Sequence, residues 1–589
     1  SGNKNEITQS FKKVFHKTTR ILTCLNHSIN SSKCSCRITR GERINGFIEI
    51  AGQRSEIIVA NPAGLNVNGS GFINASRATL TTGEVNLHDA GVSGYTVRGG
   101  TITIGSQGFD ASLTDYTGIL ARAVAVKGPV RAKQLTVVTG ANQIEADGPG
   151  AAPTAGSGPA PSFALDVSQL GGMYAGKITL LATEAGVGVR NAGGVQAGRG
   201  GLSLSANGDL VNQGSLASRG SASLNSSGRF DNSGSLSAAA ALNVQSTGSV
   251  TNSGQLRSGG ALTLQTAADL VNSGQIGAGT EATLVAGGRL DNTGSMSAGT
   301  HLSLQGAQLS NAGSLNAGQQ LSLSSAGRFD NAGEIAVQGS VQLAAPQGMA
   351  NTGSIQSQKD ITLSTGADVV NSGSVVADGA LAVQAGTTVT NTGSLMGDQG
   401  VSIQTPQAIE NRGYILSGAQ TTLSATDRID NHGLIVGDGS MQLDSGQRIH
   451  NHSDAQIYAG GDLQTQTGQA MLNEGRIGAD GDIRLETRAA DGRIHSTAGS
   501  VLSAGMDTTG AVPLGQGSLS LHGGSAGAID LKGLTLAGQS ILAQAGSLNL
   551  DGQDLLTQRP IEGDYEIEFQ GRSVRPYNNG DVATFAFSC

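Results

Sequence analysis

Cysteine is scarce in this 589-residue chain, and its placement matters more than its number. Cys24, Cys34 and Cys36 lie near the start and Cys589 is the last residue, so 37–588 has none. The bulk of the chain therefore has no disulfide framework. That suits a protein crossing an oxidising compartment unfolded, where a premature bridge would lock a loop. Cys34-x-Cys36, with Cys24 distant and no His pair nearby, is a poor zinc pattern. Trp is absent and aromatics make up 3%, so any core is thin and built from small aliphatic side chains. No apolar run reaches spanning length, which excludes a membrane span by helix. Nor is there a readable export signal: the chain starts at Ser1, and 21–30 (ILTCLNHSIN) is too polar for an apolar signal core.

Acidic charge dominates, but unevenly. The net charge is −8, yet residues 1–43 hold nine Lys or Arg against two Glu, which leaves −15 on the remainder. A basic start has the charge of a nucleic-acid or membrane arm. This one lacks aromatic interleaving and heptads, so 1–43 is expected to be an unstructured leader, with no nucleic-acid partner. At 37% hydrophobic residues the rest is not disordered by composition.

What the chain does have is glycine (90 residues) and a clock. Asn recurs at 191, 212, 232, 252, 272, 292, 311, 331, 351, 371, 391, 411, 431, 451 and 473, and eleven of the fourteen steps are 20 residues. Gly follows two places after each except Asn451, where Ser453 stands. An apolar residue sits two places before (Leu210, Phe230, Val250, Leu270) and another four places after (Leu216, Leu236, Ile276, Ile355). An L-x-L-like pair opens most coils, such as Leu262/Leu264 and Ile361/Leu363. The internal period is two, so these are short strands with alternate residues inward. Three strands per coil, separated by Asn, Gly, Ser and Asp turns, predict an all-β, right-handed parallel β-helix (β-solenoid) with ~20-residue coils stacked ~4.8 Å apart.

The Asn shares the parity of the inward apolar residue before it. A structural ladder is therefore predicted through Asn212, Asn232, Asn252, Asn272, Asn292, Asn311, Asn331, Asn351, Asn371, Asn391, Asn411 and Asn431, each hydrogen-bonding coil to coil. The glycine two places on is assigned to a tight corner with positive φ. Pro346 and Pro406 fall in one phase, five residues before their Asn, and mark an outer turn. Arg229/Asp231, Arg289/Asp291, Arg328/Asp330 and Arg428/Asp430 look like surface ion pairs within one strand.

Chemistry is sparse. Gly523-Gly524-Ser525-Ala526-Gly527 beside His522 matches G-x-S-x-G, but without the strand–turn–helix elbow that motif requires. His432 and His452 share a phase in adjacent coils with His450 close by. Imidazoles so stacked can hold a metal, but exposed ladder positions are more often solvated. The expectation is no catalytic residue, no metal and no cofactor. The rival reading, a β-helix enzyme of the polysaccharide-lyase kind, needs long loops to build a cleft. Coils of 19–22 residues leave no room for them.

The segments INGFIEIAGQRSEIIVANPAG (44–64), GFINASRATLTTG (71–83), FDASLTDYTGILARAV (109–124) and ALDVSQLGGMYAGKI (164–178) resemble the secretion domain of two-partner-secretion exoproteins, the family of filamentous haemagglutinin and contact-dependent growth inhibition proteins. The array resembles that family's haemagglutinin repeats. The division expected is a leader at 1–43 and a partial secretion domain at 44–190, with a Pro/Gly-rich exposed insert or linker at 148–161. Repeats then fill 191–475, degenerate coils 476–560, and an unassigned tail 561–589. The resemblance implies a rod exported through a dedicated outer-membrane transporter and secreted or held at the surface of a Gram-negative cell. There it would act as adhesin or delivery stalk toward a host or target-cell receptor or glycan, and not as an enzyme. It also assigns Asn61, Pro62, Ala63 and Gly64 to a turn used in secretion, and Pro second with Gly fourth suits a type I turn. The family's domain starts further upstream, so missing first coils and poor export are expected, as is the lack of a C-terminal effector module.

Overall fold

The computed structural model describes residues 42–50, 52–88, 91–146, 150–505 and 517–550, with the backbone of four short strands, Cys24–Leu25, Lys33–Arg37, Ile567–Phe569 and Arg572–Val574. Two compact units divide the chain, Ser1–Ser303 and Leu304–Cys589. Among the described residues every regular element is a strand.

The coil is the same in both units. In the first, Leu242–Ser246, Val250–Asn252 and Gln255–Ser258 pair in parallel with the next coil at Leu242↔Leu262, Val250↔Leu270 and Gln255↔Gln275. In the second, Ile361–Thr365, Val369–Asn371 and Ser374–Ala377 pair at Ile361↔Leu381, Val369↔Val389 and Ser374↔Ser394. This is the parallel β-helix expected from the period of two. Leu304 and Leu323, which that period sends inward, are each 2% exposed. Every buried Leu, Ile or Val contributes about 1.5–3 kcal/mol, and the stack repeats it coil after coil, so a core forms without Trp. Pro346 and Pro406 lie in exposed turns where no ladder N–H is called for.

The glycine two places after each Asn has a different cause from the one expected. None of these glycines has positive φ. A Cβ on Gly234 would lie 2.1 Å from Gly214 O, and one on Gly353 2.1 Å from Gly333 O. Close approach to the preceding coil demands Gly there, not a left-handed backbone.

Residues before the array form wider coils, with Glu42–Glu49 on Leu65–Ile73 and Ser55–Ala60 on Ala75–Thr81, both parallel. An antiparallel sheet runs Ala151–Pro153, Asn142–Glu145, Gly91–Val97, Glu84–His88. Its Tyr95, Val97 and Ile144 pack on Ile58, Leu120 and Val138 of the β-helix.

Two expected boundaries shift. Part of the insert is a strand, not a linker: Ala151–Pro153 closes that antiparallel sheet, and Ser157 N donates to Arg98 O at 2.7 Å. Part of the leader is also sheet, since Lys33–Arg37 pairs in parallel with Ser55–Ala60, Cys34 opposite Ile57 and Cys36 opposite Val59. Lys33-Cys34-Ser35-Cys36-Arg37 alternates polar and weakly apolar residues. Cysteine, a small and only weakly apolar residue, masks that alternation. The rest of 1–41 and most of 551–589 lie outside the described residues.

Candidate functional site

Three places carry polar chemistry inside or against this scaffold. The first is the turn at Asn61. The strand Ser55–Ala60 ends there, and Pro62 cannot extend a ladder. Gly64 N donates to Asn61 O at 3.0 Å, closing the turn, and Ala63 N donates to Asn61 Oδ1 at 3.1 Å. Asn61 is buried while Pro62 and Ala63 form an exposed tip. Gly64 has φ +119°, and a Cβ there would lie 2.9 Å from Thr101 O. Asn61 Nδ2 is buried without a hydrogen-bond partner, a state that costs about 1–3 kcal/mol.

The second is the asparagine column. In the first unit Nδ2 of Asn191, Asn212, Asn232, Asn252 and Asn272 donates to Oδ1 of the next Asn at 2.7–2.8 Å, Asn292 accepting from Asn272. In the second unit the same bond runs from Asn311 through Asn331, Asn351, Asn371, Asn391, Asn411, Asn431 and Asn451 to Asn473 at 2.7–2.9 Å. Each amide also reaches a backbone carbonyl of the coil ahead, for example Asn212 to Ser235 O at 3.1 Å. The column starts at Asn191 because its register partner one coil back is Val167, which leaves Asn191 Oδ1 without a donor.

The third lies on the outer face at 408–476. Register places Glu410, Asp430 and His450 in one column, with Arg412, His432 and His452 just past the Asn residues. His432 stacks on His452 with centroids 3.6 Å apart, and His450 lies 3.5 Å from His452 on its own coil. Arg428 Nε donates to Asp430 Oδ2 at 2.7 Å, and Arg448 Nη2 reaches the same oxygen at 3.3 Å. Burial alone would raise the Asp430 carboxyl, but Arg448 and Arg428 outweigh it and hold it below the usual range. Burial first, then His450 and His432, hold His452 below the ordinary histidine value. The sequence placed these imidazoles in one phase. The nearness of His450 to Asp430 comes from the stacking of residues one place before the Asn.

Other expected features resolve differently. Arg289–Asp291 and Arg328–Asp330 pair within a strand as read, at 2.9 and 3.0 Å. Arg229 turns instead to Asp209 of the preceding coil at 3.0 Å. Asp209 already accepts Arg229 N–H at 2.8 Å, so the longer reach completes a two-point contact. His522 bonds Ser520 Oγ and Gln544 Oε1, while Ser525 sits in an exposed turn. Arg122, missed in the sequence, is buried and grips Glu184 through two bonds of 2.7 and 3.0 Å while donating to Ser157 O and Gly158 O.

Parallel coils behind a region with its own antiparallel sheet and buried Asn turn define a β-helix protein, and the comparisons place it among secreted ones. A TPS secretion domain model matches 25–212, and a haemagglutinin repeat model matches 217–294, 257–333, 335–395 and 376–466. The first match begins well inside the stretch read as a leader. "Toxin CdiA" of Yersinia pestis is 45% identical over 176 residues, 30% of this chain and 5% of that protein. "tRNA nuclease CdiA-2" of Burkholderia pseudomallei (strain 1026b) is 48% identical over 172 residues, 29% of this chain and 6% of that protein. The crystal structure of the filamentous haemagglutinin secretion domain is 30% identical and matches 41% of this chain and 75% of that one. Its TM-score is 0.29, too low to bear on the fold, which rests on the strand register.

The chain belongs to the two-partner-secretion exoproteins, the family of filamentous haemagglutinin and the contact-dependent inhibition proteins. It spans 5–6% of the length of the curated relatives it matches. Their names as toxin and nuclease describe those proteins, and the matches fall in the secretion region.

Proposed function

We propose that this chain is the secretion region and stalk of a contact-dependent inhibition exoprotein. An outer-membrane two-partner-secretion transporter delivers it, and the surface of a Gram-negative cell holds it. The observation that carries the reading is the order of parts: a secretion-domain match over 25–212 passes directly into repeats from 217. The two curated relatives named above bear toxin and nuclease names, which favours a delivery stalk over a free adhesin. The turn Asn61–Gly64 serves export. Support comes from its buried, unpartnered Asn61 amide beneath an exposed Pro62–Ala63 tip, a costly arrangement for a turn that only reverses the chain. The stalk holds its partner, a target-cell receptor or glycan, along regular coils that offer repeated shallow grooves.

Protease added to intact producing cells tests the location. Cleavage of the chain without release of a periplasmic marker is expected. Full protection until the outer membrane is opened would contradict a surface stalk. A glycan array probed with the chain then separates sugar binding from a stalk that binds nothing itself.

A further inference from the structure

We propose that Asp430, His450 and His452 form a binding site for a divalent transition-metal ion of the zinc class. The three residues offer ligand atoms that all lie within 4.8 Å of one another. Imidazole and carboxylate together are a donor set that zinc takes readily, and three protein ligands leave one position for water or an outside group. Asp430 and His450 face each other across one register step, so the backbone itself fixes their separation.

Each donor is prepared in a way a solvated surface residue is not. Asp430 is 8% exposed and held by Arg428 and Arg448, contacts of the kind that orient a ligating carboxylate. His450 Nε2 is buried and has no hydrogen-bond partner. It lies 3.3 Å from Glu474 Oε1, off the hydrogen-bond line. His450 and His452 are tilted by 32°, and each offers a ring nitrogen to the same cluster. His432 stacks on His452 at 15° and packs against the site without supplying one of its three donor atoms.

The backbone is also unusual here. The step from Asn451 to Asn473 is the longest in the array, and the extra residues form the turn His452–Ala455. Asp454 in that turn has φ +63°, one of two non-glycine residues with positive φ among the described residues. Positive φ is uncommon outside glycine, and the turn it belongs to begins at His452 itself. The guanidiniums of Arg412, Arg428 and Arg448 are offset by Glu410, Asp427 and Asp430 along the same open groove, so an approaching cation meets no net positive wall.

Titration of the full chain with zinc chloride by calorimetry tests the site. A single saturable ion per chain and a rise in melting temperature are expected. His450→Gln and His452→Gln should each weaken zinc at least about tenfold, with circular dichroism unchanged. Asp430→Asn should weaken it too, and His432→Gln should leave it as it was. The proposal falls if the wild-type chain gives no saturable heat, or if both His450→Gln and His452→Gln bind as the wild type does. It falls equally if magnesium chloride binds as well as zinc, or if His432→Gln alone abolishes binding.

Discussion

Asn331 donates its side-chain amide to Asn351 Oδ1 at 2.7 Å while accepting the amide of Asn311 at 2.8 Å. It is 1% exposed, so each coil both gives and takes one buried hydrogen bond. Asn331→Ala should cost about 1–3 kcal/mol for the bonds lost. Asn331→Asp should cost more, about 3–5 kcal/mol, because a carboxylate would face Asn351 Oδ1 and Ser354 O with nothing to donate. Thermal melting ranks the two, and hydrogen exchange should show the damage centred on neighbouring coils. Equal melting of both variants would remove the column from the list of things that hold the coils together.

Gly234 separates close approach from backbone handedness as the reason for glycine. Its φ is not positive, yet a Cβ would sit 2.1 Å from Gly214 O. Gly234→Ala should lower the melting temperature as much as Gly64→Ala, where φ is +119°. A neutral Gly234→Ala would mean the coils spread at no cost.

Arg122 ties the segment around Ser157 to the β-helix through Glu184, Ser157 O and Gly158 O. Charge-assisted bonds of this kind contribute about 1.5–3 kcal/mol each. Arg122→Ala should expose 150–161 to protease while the repeats melt unchanged, and Arg122→Lys should rescue only part of the protection. Unchanged cleavage in Arg122→Ala would show that the antiparallel sheet holds the segment by itself.

Asp115 gives a pH signature. Hydrogen bonds from Arg54 and then Lys133 lower its carboxyl from 3.8 to about 2. A carboxylate depressed on folding contributes stability above its unfolded value and loses it as pH falls toward the folded one. The melting-temperature gap between wild type and Asp115→Asn should therefore be constant above about pH 5 and close between pH 4 and 2. The side chain is exposed, so the gap is small. A gap that widened on acidification would reverse the assignment.

The coils were legible in the sequence because their contacts repeat. Leu242, Leu262 and the Asn residues meet copies of themselves, so period and parity sufficed. Contacts outside the repeat were not. Arg122 holds the carbonyls of Ser157 and Gly158, and a backbone carbonyl leaves no mark on composition. Ala151–Pro153 is too short and too rich in Ala and Pro to read as a strand, and its sheet partner Asn142–Glu145 supplies the order. Lys33–Arg37 alternates, but cysteine stood where Leu or Val would have been recognised. At the imidazole cluster the phase of His432 and His452 was visible. The donor set with Asp430 was not, since it depends on the register that stacks His450 on Asp430.

The most direct test is the amount of this chain outside the cell when its cognate outer-membrane transporter is present and when that transporter's gene is deleted, with Asn61→Ala as a third arm. With the transporter more of the chain should be found at the surface or in the medium than without it. Without it the chain should remain in the periplasm or be degraded, and Asn61→Ala should fall between. Equal amounts outside the cell with and without the transporter would contradict two-partner secretion of this chain.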